Sequence, residues 1–166
     1  MELPGAGYFY ALATLSMAFV GFTLIVAVLH QGTGKPLSPF HELITKLFIE
    51  LGLMATAFTM MAPTLAICGI REIFVWRISS AIMLAILVPW LVTYPIRRKV
   101  AVPDQIFPLR GYIMNVLGAL AVIFLCLNVV GSPMISNPAP LAIATVYVLS
   151  FASVSFFWTY ASFLRD

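Results

Sequence analysis

The chain has 166 residues, 62% of them apolar and 9% charged, with a mean hydropathy of +1.05. A water-soluble domain carries about 25% charged residues, so water is not the main solvent here, and five apolar stretches leave no room within this length for a soluble catalytic or receptor domain. The formal charge of +3 does not point to nucleic acid, because the basic residues cluster at the ends of apolar stretches and not along one polar face.

A membrane span needs ~20 predominantly apolar residues. The first candidate, residues 8–30, follows Glu2 and no basic residue and lacks a small-residue cleavage site, so it reads as a retained span and not a signal peptide. Residues 31–38 form a Gly, Pro and Lys turn in which Ser38 can cap the second span and Pro39 occupies its first turn, where a missing N–H is harmless. The second span covers 39–69 and the third 75–95. Residues 96–108 hold Arg97, Arg98, Lys99, Asp104 and two prolines, which are expected to break the helix and face water. The fourth span covers 110–131, an uncharged turn with three prolines covers 131–140, and the fifth span covers 140–164. The expectation is an all-α polytopic membrane helix bundle, one transmembrane domain over 1–166 with five transmembrane helices.

With five spans, Lys35, Lys46, Arg97, Arg98, Lys99, Arg110 and Arg165 fall on one side and Arg71 and Arg77 on the other. Seven against two predicts the N-terminus outside and the C-terminus in the cytoplasm. Aromatic residues are expected at the borders, with Tyr8, Tyr10 and Trp76 outside and Trp90, Tyr94, Tyr112, Trp158 and Tyr160 inside.

Helices pair in lipid through small residues that let backbones approach. Ala11, Thr14, Ala18 and Gly21 share a sector of the first span, and Gly111, Gly118 and Ala119 lie with Asn115 on one face of the fourth. Both faces are expected to pack against protein. The fifth span carries Tyr147, Phe151, Phe156, Phe157, Trp158, Tyr160 and Phe163 around most of its circumference, as for contact with lipid or a partner chain. Pro63 and Pro89 fall inside spans, where they read as kinks, or as a hinge.

Glu50 is the most informative residue. It lies about two turns inside the second span, where an ionised carboxylate costs at least ~2.5 kcal/mol. Lys46, one turn earlier on the same face, can neutralise it, although Lys before Glu is the less favourable helical order. Otherwise Glu50 serves a carboxylate ring in an oligomeric cation pathway, or a proton-titrating site. At 100° per residue Lys46, Glu50, Met54, Ala57, Met61, Thr64 and Cys68 fall in one stripe. The stripe reads as packing by adaptable methionines, or as a path for a soft cation.

Cys68 and Cys126 read as unpaired, buried small residues, with an outer disulfide as the alternative. His30, His41 and Glu42 are placed at the cytoplasmic mouth as solvated interfacial groups, the alternatives being metal binding or proton relay. Asn115 and Asn128 are expected to hydrogen-bond between helices. Arg97, Arg98 and Lys99 are expected to meet lipid headgroups.

The sequence has no phosphate loop, no HExxH or CxxC spacing and no Ser, His and acid set within the spans. No enzyme activity, cofactor, resident metal or nucleic acid is expected. Residues 18–29, AFVGFTLIVAVL, with 37–40 and 48–53, resemble small multi-pass proteins of bacterial genomes, which implies the bacterial inner membrane and no particular activity. The function expected is an oligomeric channel or permeation pathway for a small cation or proton, lined by the second span with Glu50. The alternative is a non-catalytic accessory subunit docked on a larger membrane complex through the fifth span. Membrane lipids and further copies, or other membrane subunits, are the partners expected.

Overall fold

The computed structural model describes residues 3, 5–32, 39–103, 108–131 and 137–163, without the side chains of 30–32, 41 and 158–163. Lys35, Ser38, Asp104 and Arg165, and the side chains of His30, His41, Trp158, Tyr160 and Phe163, lie outside the described residues.

Among the described residues five helices follow in order: α1 (Ala6–Gly32), α2 (Pro39–Ile67), α3 (Glu72–Ala101), α4 (Leu109–Val130) and α5 (Ala139–Phe163). The chain is all-α, and each of the five is long and apolar enough to cross a membrane. With no water in a bilayer core, hydroxyls are commonly satisfied by carbonyls of their own helix. Ser16 donates to the Leu12 carbonyl at 2.7 Å, Thr59 to that of Ala55 at 2.9 Å and Thr145 to that of Leu141 at 2.9 Å.

α3 departs from expectation, because it continues for two turns past residue 95. Arg98 and Lys99 form its last turn, where cations are favoured by the helix dipole. Its 30 residues extend about 45 Å at 1.5 Å each, beyond the ~30 Å of hydrocarbon. The helix is thus long enough to span that thickness with its basic last turn to spare.

α2, α3, α4 and α5 close a ring in which each packs on its two neighbours, α3 also touches α5, and α1 lies outside against α2. Cross-helix contacts fix the directions. Glu50 near the start of α2 meets Arg97 near the end of α3, and Asn128 near the end of α4 meets Ser80 near the start of α3. One end of the bundle therefore gathers Lys46, Arg97, Arg98, Lys99 and Arg110, and the other Arg71 and Arg77.

Away from the basic end the interior is filled. Ala55, Ala62, Met83, Leu87, Leu125, Ala144 and Val148 are completely enclosed. Trp76, Trp90 and Tyr94, expected at membrane borders, belong to this core. Trp90 stacks on Tyr94 at 5.6 Å, and Phe151 meets both edge-on at 5.2 Å. Such T-shaped pairs match the positive ring edge to the negative face. Tyr8, Tyr10 and Tyr112 are exposed.

Two packing expectations are corrected. On α1 the sector of Ala11, Thr14 and Ala18 is exposed and Gly21 faces open space, whereas Phe9, Leu12, Ser16, Val20 and Thr23 are buried. The small residue at this crossing belongs to α2, since a Cβ on Gly52 would collide with Val20. On α5, Tyr147 and Phe151 point inward and Phe156 joins Phe19, Phe22 and Phe48 between α1 and α2, leaving Phe157 exposed. Most of the described α5 aromatic surface is core, not a docking face. On α4 the expected face is partly realised: Gly111 and Gly118 are buried, Asn115 is half-buried and Ala119 is exposed. A Cβ at Gly118 would lie 2.6 Å from Tyr147 Oη, which donates to the Met114 carbonyl at 3.0 Å.

Candidate functional site

Glu50 occupies the edge of α2 that adjoins α3. Arg97 Nη1 donates to its Oε2 at 2.8 Å, with both side chains a little under half exposed. Lys46 turns the other way and bonds Glu42 at 2.6 Å. The Lys46–Glu50 pairing is therefore not adopted. Glu42 before Lys46 is the favourable helical order and Lys46 before Glu50 the unfavourable one, and the planar guanidinium of Arg97 suits a carboxylate better than an ammonium does.

Arg97 is thus a partner of Glu50 and not simply a headgroup anchor. The pattern of α3 contains the signal for it. Trp76, Ser80, Met83, Leu87, Trp90 and Tyr94 are buried at alternating four- and three-residue steps, the seam of a coiled coil, and the next step lands on Arg97.

The rest of the α2 stripe lies on the outside of the bundle. Ala57, Thr64 and Cys68 are exposed, while Met54 and Met61 are half-buried against the core edge. Thr64 donates to the Met60 carbonyl at 2.7 Å. Cys68 and Cys126 are both free and both exposed; they are unpaired but not buried. Glu42 is exposed, with Lys46 as its partner. Among the described residues no group of three or more His, Cys, Asp or Glu side chains comes together as a metal site.

At the opposite end, Asn128 is fully buried and its Nδ2 donates to Ser80 Oγ at 2.8 Å and, at 3.5 Å, to the Asn137 carbonyl. This bond ties α4 to α3, as Asn128 was expected to do. Ser80 carries no sequence signal beyond its place on the α3 seam. Three residues on, Gly131 caps α4 in the left-handed conformation at φ +81°, and the Arg77 guanidinium lies where its Cβ would be. Only glycine satisfies both conditions, and a cation at a helix C-terminus meets the negative end of its dipole.

Among the described residues two cavities open at the basic end. One, of about 320 Å³, lies between the end of α3 and the start of α4 and is lined by Pro95, Arg98, Lys99, Val102, Pro103, Tyr112 and Asn115. Asn115, expected to bond a neighbouring helix, instead borders this space, and its Oδ1 has no hydrogen-bond partner among the described residues. The other, of about 220 Å³, enters the ring itself, with Arg110 at its rim and Tyr94, Met114 and Phe151 on its walls. Arg98 spans the region between α3 and α2, its guanidinium 5.6 Å from the centre of the Phe40 ring, a cation–π distance.

Comparison with protein-family models, with curated proteins and with solved structures finds no match for this chain.

Proposed function

We propose that copies of this chain associate along α2, and that the seam between them conducts a proton or small cation across a bacterial inner membrane. The N-terminus lies outside and the C-terminus in the cytoplasm. The reading is carried by one observation: the stripe from Glu50 to Cys68 runs down the outside of a bundle whose interior is filled beyond the cavity at its basic end. Conduction then requires a second copy to face the stripe. Glu50 stands at its basic end with its charge balanced by Arg97, and a cation that displaces the guanidinium takes over its place beside the carboxylate. The orientation is supported by the five described basic residues at one end, Lys46, Arg97, Arg98, Lys99 and Arg110, against Arg71 and Arg77 at the other.

Flux through liposomes containing the wild type or Glu50→Gln tests the reading. Wild-type flux with altered selectivity in the variant is expected. No flux from either, or identical selectivity in both, sinks the idea.

A second reading, a non-catalytic accessory subunit of a larger membrane complex, is favoured by the pairing of Glu50 with Arg97 inside a single chain, which compensates the Glu50 charge that a pore would use. Purification in mild detergent separates the two: a symmetric homo-oligomer supports conduction, and stoichiometric foreign subunits support the accessory role.

A further inference from the structure

We infer that the last two turns of α3, residues 95–101, form a hinged arm that Glu50 latches to α2 and that swings toward α4 when the latch opens. The inference does not depend on conduction.

Three features soften α3 just before the arm. Pro89 and Pro95 lie inside the helix, and each lacks the N–H that would bond the carbonyl four residues earlier, at Ala85 and Leu91. Between them, Thr93 Oγ donates to the Pro89 carbonyl at 2.8 Å and to that of Trp90 at 3.2 Å, a back-bond of the kind that bends helices. The body of α3 is held on the near side of Pro95, where Trp90 and Tyr94 stack on each other and meet Phe151 in the core. Among residues 95–101 none is buried.

The contacts of the arm with α2 lie near the surface. Arg97 donates to Glu50 at 2.8 Å, with the two side chains 45% and 42% exposed, and the Arg98 guanidinium lies over Phe40. On its other flank the arm meets space. The cavity of about 320 Å³ has Pro95, Lys99 and Val102 on one wall and Tyr112 and Asn115 of α4 on the other. A helix end with a soft root, a charged bond on one side and room on the other has two positions. Loss of the Glu50 charge removes the bond and favours the second. Arg110 at the start of α4 opposes the approach of the arm's cations, but it is exposed, where salt screens the repulsion. Phe40 also lines the cavity that enters the ring, so the swing carries Arg98 off the rim of that opening.

Spin labels on cysteines introduced at Leu53 of α2, Val100 of the arm and Ile113 of α4, all exposed, test the arm when paired two at a time in a Cys68→Ser, Cys126→Ser background. A bend of about 20° at Pro95 displaces the tip of an arm ~10 Å long by about 3–4 Å. In Glu50→Gln, and equally in Arg97→Gln, the distance from 53 to 100 should lengthen and that from 100 to 113 should shorten by this amount. The distance from 53 to 113 should stay fixed, which shows the bundle intact. Adding Pro95→Ala to Glu50→Gln supplies the missing N–H to the Leu91 carbonyl and should shrink both shifts. Unchanged distances in both latch variants, lengthening of both arm distances together, a shift between 53 and 113, or full shifts despite Pro95→Ala would overturn the inference.

Discussion

Arg97 and Glu50 lie 47 positions apart in the chain and 2.8 Å apart in space, joining the cytoplasm-proposed ends of α3 and α2 through one charged hydrogen bond. Removing one partner costs more than removing both, because it leaves a single charge beside hydrocarbon. Arg97→Gln should therefore lower unfolding free energy in mixed SDS micelles by about 1–2 kcal/mol, above the ~1 kcal/mol ceiling of water-exposed pairs. The double variant Glu50→Gln with Arg97→Gln should recover most of that loss. An additive double variant would mean that the two groups are energetically independent.

The buried bond from Asn128 to Ser80 should be measurable in the same assay. Interhelical hydrogen bonds in membranes contribute about 0.6 kcal/mol on average and reach about 1.7. Ser80→Ala should fall near the lower figure. Asn128→Leu should exceed it, since the larger apolar group must also fit a fully enclosed site.

The crossing of α1 and α2 gives a contrast between two small residues. Gly52→Val should cost about 1–3 kcal/mol by overpacking, because its Cβ meets Val20. Ala18→Val, on the exposed side of α1, should stay within about 0.5 kcal/mol of wild type. Equal effects would place the α1 contact face elsewhere.

Cys68 lies in the exposed turn after α2, at the end that carries few basic residues. In the variant Cys126→Ser, a membrane-impermeant maleimide should label Cys68 on intact cells. Labelling that requires permeabilised membranes would reverse the proposed orientation.

The five helices are legible in the sequence because length and apolarity alone decide whether a stretch spans a bilayer. Which face of each helix turns inward is much less legible. α1 and α5 are apolar around their whole circumference, so no polar side marks the lipid-facing surface, and the sector of small residues on α1 proved to be exposed. The close approach there needs one small residue only, and Gly52 supplies it from the other helix. α3 is the exception, since its alternating four- and three-residue seam ends on Arg97 and could have named the partner of Glu50. Reading residues 96–108 as a loop hid that continuation. Three basic residues and nearby prolines resemble a break, yet basic side chains at a helix C-terminus stabilise the very turn they occupy. Glu50 was legible as a group needing shelter because charge is expensive near lipid. Its shelter is a residue two helices' length away in the chain, which spacing within α2 has no means of revealing.

The contact between α2 and α5 closes the ring, and it has consequences for how the protein is made. A chain emerging from the ribosome presents α1 and α2 first, then α3 with Arg97 for Glu50, and only last the helix whose Phe156 fills the space beside Phe48. Contacts that span so much of the sequence form late. Until synthesis reaches residue 139, the α5-facing side of α2 must be covered by lipid or by another protein. A nascent chain stalled before α5 would thus hold Glu50 and Arg97 paired and its ring open.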